Sequence, residues 1–253
     1  MKWEFNSTVS DRAYIVQFHT ERTHWTMATE RELVEHPRIG TDVERVLDAI
    51  TAAAEGLSNV ARDHSAEGLA KAGVARVPSI TGPYRLLSEA ARREANHIES
   101  ETIALYTPRH PDDSDPAMRV ARAAWWRSLS MPQRLDAAKR DLAVAQAVVE
   151  FGKAGSGLPD EVFDRMHRDM ATEQLAARIL RDTSMRTEPT VDEPLGGTPD
   201  IATARKNAAG KLDRLDGERA LLARVPNLLG NIITATSLMT GETREDAFKR
   251  LSA

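Results

Sequence analysis

From Thr41 onward the apolar residues recur at helical spacing, and this constrains the fold more than any other feature of the chain. Val43, Val46, Leu47, Ile50, Leu57 and Val60 fall on one face of a helix that runs to about Asp63. Thr41 and Glu44 have the spacing of a capping box at its start. Leu87, Ala91, Ile98 and Leu105 share a face on a later helix that begins at Pro83, since proline suits a first helical position. Helices are predicted over 116–129, 132–151, 160–181, 201–223, 226–239 and 243–251. In the third of these, Val162, Phe163, Met166, Met170, Leu175 and Ile179 point inward. Residues 64–81 are small and broken by Gly68, Gly73 and Pro78, and read as a loop with at most a short helix.

The first forty residues have a different period. Ala13 to Thr20 is β-branched and aromatic, with Tyr14, Val16 and Phe18 on one face of a strand. Thr23 to Met27 is placed to pair with it across Glu21 and Arg22, although that dipeptide is a poor hairpin turn. Trp3, Phe5 and Val9 alternate and suggest a third strand, and Trp3, Tyr14 and Trp25 are candidates to cover one face of the sheet. Thr29 and Glu32 have capping-box spacing ahead of a short helix ending near His36 and Pro37.

Breaks are expected at 107–113, at the glycine-rich Gly152 to Pro159, and at 183–199, which holds three prolines and two glycines with almost no large apolar residue. The expected fold is mainly α: a helical body with a small N-terminal β-hairpin or sheet and a linker-tethered C-terminal helical segment. Four parts follow from these breaks. They are a β/α element at 1–40, a helical body at 41–182, a linker at 183–200 and a helical segment at 201–253. There is no solenoid-length repeat, and Lys211 and Glu218 interrupt the only candidate heptad seam.

Composition excludes several function classes. The 253 residues include no Cys, so disulfides, thiol nucleophiles and thiolate metal sites are ruled out. The N-terminus lacks the apolar core of a signal peptide, and the longest near-apolar stretch, Leu228 to Met239, is too short to span a bilayer. A protein located in the cytoplasm, or within an assembly formed there, is expected. No P-loop, dinucleotide fingerprint, nucleophile elbow or kinase motif set is present. The run Gly152 to Gly157 follows a helix rather than a strand and reads as a helix terminator.

Three constellations bear on chemistry. Glu94 and His97, at i and i+3, have the spacing of a carboxylate–histidine pair in a di-metal helical bundle. Asp164 and His167 supply a second pair, and Glu55 and Glu150 lie on two more helices. Against this metalloenzyme reading stand the Asp in place of Glu and the short, glycine-broken path from Glu150 to Asp164. The second constellation is His19, Glu21 and His24, with Glu35 and His36 nearby. His19 and His24 flank the proposed turn, yet no metal-ligand spacing links them. The third is a basic stretch for nucleic acid, where Arg119, Arg122 and Arg127 would meet phosphates and Trp126 would stack on a base. Adjacent tryptophans on a helix point about 100° apart, so one of Trp125 and Trp126 is expected in the core. A net charge of −4 also lacks a nucleic-acid binder's basic footprint.

That mild net charge conceals uneven blocks. Residues 117–140 carry six bases against Asp136 alone, whereas 141–200 carry twelve acids against six bases. Such segmentation favours contact with complementary surfaces. The leading expectation is a non-enzymatic interaction or assembly protein, a structural subunit of a larger complex such as a phage or virus-like particle. Its expected partners are other protein subunits, with nucleic acid a less favoured partner, no membrane and no cofactor. The helical-bundle metalloenzyme and the nucleic-acid accessory protein are the alternatives.

Overall fold

The computed structural model describes residues 3–10, 13–20, 24–61, 63–108, 116–183, 185–188, 191 and 197–253. For Trp3, Glu4, His19, Thr20, Pro116 and Arg119 it describes the backbone alone. The fold is mainly α, with a three-stranded antiparallel sheet at the N-terminus. By compactness the chain forms two units, one of residues 1–98 with 218–253 and one of residues 99–217. The boundaries fall inside two long helices rather than at the proline- and glycine-rich stretch.

In the first unit, strands β1 (Trp3–Val9), β2 (Ala13–Thr20) and β3 (His24–Glu30) form a meander in the order β1-β2-β3. The register sets Phe5 opposite Phe18 and Phe18 opposite Trp25. Their rings form a ladder across all three strands, with centroids 5.5 and 5.4 Å apart. Val16, Phe18 and Met27 on that face are buried. Thr29 is also drawn into the sheet, opposite Tyr14, so it does not cap the next helix. Helix α1 (Arg31–Val34) starts at Glu30 without a side-chain cap, which corrects the capping box expected at Thr29 and Glu32.

Helix α2 (Gly40–Val60) buries Val43, Val46, Leu47, Ile50 and Leu57 as the periodicity predicts. It begins one residue before Thr41, because Gly40 N–H already donates to the His36 carbonyl, so Thr41 is not its cap. The segment read as a loop with at most a short helix holds helix α3 (Ala66–Val74), capped by the Ser65 hydroxyl accepting from Gly68 N–H at 3.2 Å. Helix α4 (Val77–Tyr106) starts six residues ahead of Pro83, which therefore sits inside it.

The second unit contains α5 (Pro116–Ser128), α6 (Met131–Arg140), α7 (Leu142–Glu150), the short α8 (Gly152–Ser156) and α9 (Asp160–Thr183). The single helix expected over 132–151 is divided at Asp141, whose backbone is extended and whose carboxylate accepts from Ala143 N–H at 2.8 Å. Capping thus overrides apolar periodicity at this point. Trp126, Val144, Val148, Phe163, Met166 and Met170 form the core here.

The stretch expected as a linker has its two ends held together. Thr187 N–H donates to the Thr198 carbonyl at 2.9 Å, and Arg186 pairs with Pro199 in a β-bridge. Residues 184, 189, 190 and 192–196 of that stretch lie outside the described residues. Helix α10 (Ile201–Leu222) follows, and Asp200 caps it by accepting from Thr203 N–H at 3.0 Å.

Helices α11 (Val225–Thr240) and α12 (Arg244–Ser252) belong to the first unit, with Ile232, Ala235, Met239 and Leu251 buried. α11 packs on α2 and α3. Its approach to α3 runs through Gly73, where any β-carbon would strike the Met239 carbonyl. Among the described residues, no helix is long and apolar enough to cross a membrane.

Candidate functional site

The residues of the carboxylate–histidine reading have separate environments. Glu94 is buried, and its carboxylate pairs with Arg38 at 3.0 Å, which ties the segment before α2 to α4. His97, three residues on, is exposed, so the pair does not present both side chains to one interior space. Asp164 is exposed and pairs with Lys153 at 2.7 Å. That carboxylate holds the lysine's pKa above its usual value.

His167 turns the other way, and its Nε2–H donates to the Tyr106 carbonyl at 2.8 Å. A carbonyl only accepts, so this nitrogen carries its proton and has no lone pair free for a metal. The imidazole also meets the Tyr106 and Phe163 rings edge-on, at 5.0 and 5.9 Å. Glu55 and Glu150 are exposed. Among the described residues, no group of three or more His, Asp or Glu side chains is placed to hold a metal ion.

The N-terminal histidines are likewise dispersed. The backbone register sets His19 opposite His24, as a hairpin requires. Glu21 and the side chain of His19 lie outside the described residues. His24 is exposed beside Thr26, with 3.3 Å between Nε2 and the hydroxyl. Glu35 pairs with Arg31 at 2.6 Å on the surface. His36 is buried instead, with Nδ1 accepting from the backbone N–H groups of Arg38 and Ile39. Its role is to shape the turn into α2.

The basic stretch is where structure adds most. Trp126 is only 1% exposed, and its Nε1–H donates to the Ser156 carbonyl at 2.8 Å. It offers no face to a base, which corrects the stacking role assigned to it. Trp125 is the exposed indole, at 44%. Arg134 is also committed: it donates to the carbonyls of Trp126 and Arg127 at 3.0 Å each and so closes the end of α5. The side chain of Arg119 lies outside the described residues.

What remains on α5 is an unusual surface. Met118, Val120 and Trp125 are 52%, 70% and 44% exposed, and Ala121 and Ala124 between them are exposed as well. At 100° per residue these five positions span an arc of about 160°. Arg122 and Arg127 fall just beyond its two edges; Arg127 is exposed and Arg122 half-buried. The opposite side of the helix carries the buried Ala123 and Trp126. The helix is therefore apolar on its core face and apolar again on its outer face, with arginines at the borders. The spacing of Met118, Ala121 and Trp125 was available in the sequence. It was obscured because the adjacent tryptophans made the buried face uncertain. Comparison of the chain with protein-family models, with curated proteins and with solved structures found no match.

Proposed function

We propose that this chain is a non-enzymatic interaction and assembly protein, a structural subunit of a larger complex, with α5 as its docking helix. The outer arc of α5 carries this reading. Isolated exposed apolar residues are ordinary on protein surfaces, but a contiguous apolar face bordered by charge marks a contact site. Tryptophan and arginine, found within the arc and at its borders, supply much of the energy in protein interfaces. The partner that fits is a protein surface with an apolar patch rimmed by carboxylates, since Arg122 and Arg127 lie at the borders. The expected setting is the cytoplasm or an assembly formed there.

The test compares the full chain with the Val120→Asp variant, which places a charge on the most exposed large apolar residue of the arc, at its edge, without touching the core. The wild type is expected to form an oligomer in light scattering, or to retain a defined partner on purification from its host, and the variant to lose it. A monomeric wild type whose co-purifying proteins are unchanged by Val120→Asp would overturn the proposal. The metal and nucleic-acid readings have no comparable observation behind them.

A further inference from the structure

A second feature of residues 99–217 is independent of the α5 face. Helix α6 is amphipathic, yet none of its residues is buried. Its apolar residues Leu135 and Ala138, with Leu142 just beyond its end, are only half-covered. They overhang a cleft of about 470 Å³. Met166 and Met170 of α9 and Ala145 of α7 lie on its lining, and all three are buried. Protein interiors leave few voids larger than a water molecule, whereas small-ligand sites occupy roughly 300–1,000 Å³.

The rim gives the ligand its sign. Four cations line the cleft, Lys139, Arg140, Arg165 and Arg205, against two anions, Asp169 and Glu173. Arg205 is held by Glu173 at 2.7 Å and Arg140 by Asp136 at 2.9 Å. Among the described residues, no carboxylate pairs with Lys139 or Arg165. Thioether side chains on the lining adapt to flexible apolar chains, and the unpaired cations favour a negative group at the mouth. We infer that the α6–α9 cleft binds a single-chain amphiphile with an anionic head, its chain lying over Met166 and Met170 and its head meeting Lys139 and Arg165. A free fatty acid is such a molecule.

The test titrates the full chain with sodium laurate below its micellar concentration, by calorimetry, and with vesicles of phosphatidylglycerol, by co-sedimentation. The variants are Ala138→Phe, which narrows the cleft, and the exposed pair Lys139→Glu with Arg165→Glu. The charge pair keeps the test decisive if Ala138→Phe does not fold. Saturable binding of one laurate per chain, weakened at least tenfold by either change, supports the inference with a free acid as ligand. Binding of vesicles but not laurate would overturn it, since a two-chain lipid surface held by the exposed cations does not need the cleft. Absence of binding in both arms, or binding unchanged by the variants, would overturn it.

Discussion

The indole Nε1–H of Trp126 donates to the main-chain carbonyl of Ser156 at 2.8 Å, and this bond decides which of two adjacent tryptophans faces solvent. It fixes α5 against the end of α8 and leaves Trp125 outward. Trp126→Phe deletes the donor, leaves a buried carbonyl unpaired and opens space in the core. The expected cost is about 1–3 kcal/mol in urea unfolding. Trp125→Phe is expected to stay within about 0.5 kcal/mol, as at other exposed positions. Iodide quenching separates the two again, since only Trp125→Phe should reduce the quenchable fluorescence.

Arg38 and Glu94 lie far apart in sequence and meet at 3.0 Å, the carboxylate buried and the guanidinium half-exposed. Removing the cation leaves a charge with little access to water. Arg38→Ala is expected to destabilise the protein by about 1–3 kcal/mol, less than a fully enclosed pair would lose because water reaches the arginine. In a double-mutant cycle with Glu94→Gln, the two changes should cost less together than the sum of each alone. Additive costs would show that the pair is not coupled.

Gly73 permits the close approach of α3 and α11, since a β-carbon there meets the Met239 backbone rather than a movable side chain. Gly73→Ala improves helix propensity by about 1 kcal/mol, but the clash forces the helices apart. Overpacking of this kind costs about 1–3 kcal/mol. A lowered melting temperature is the expected result, whereas an exposed helical glycine such as Gly210, with open space around it, should gain stability on the same substitution.

Burial raises the Tyr106 phenol above its ordinary value of 10.0. Asp216 and, more weakly, Asp213 push the same way, and Arg168 opposes them. Burial also raises Tyr84. A phenol whose folded pKa exceeds its unfolded one contributes stability that is intact below about pH 10 and lost as pH rises through the folded value. Absorbance titration of the native protein should therefore show a late tyrosinate component, and Tyr106→Phe should reduce it. In denaturant the late component should move to about pH 10. Ordinary titration of every tyrosine in the native state would contradict this.

The fold was legible where a repeating pattern spans many residues. The apolar rows of α2 and α9 and the alternation in β2 each average over several turns or pairs, so single exceptions do not disturb them. Boundaries that rest on one competing hydrogen bond were not legible. Thr29 is consumed by sheet pairing instead of capping, Asp141 divides a continuous apolar run, and Ser65 starts a helix in a segment that looks like loop. Of the candidate site residues, the burial of one tryptophan was foreseen, but not which one. The spacing of Glu94 and His97 carried no information about which partners would claim them: Arg38 lies 56 positions before Glu94. Likewise the Tyr106 carbonyl that engages His167 lies on a different helix.

On the proposed function, the outer arc of α5 is covered by another protein. The most direct test of this places a photo-crosslinking amino acid at Val120 of the full chain and irradiates the host cells that make it. A discrete protein adduct is expected at position 120, lost when Trp125→Asp is added, and no such adduct from a probe at the exposed Glu67. Absence of an adduct at position 120, or the same adducts from both positions, would contradict it.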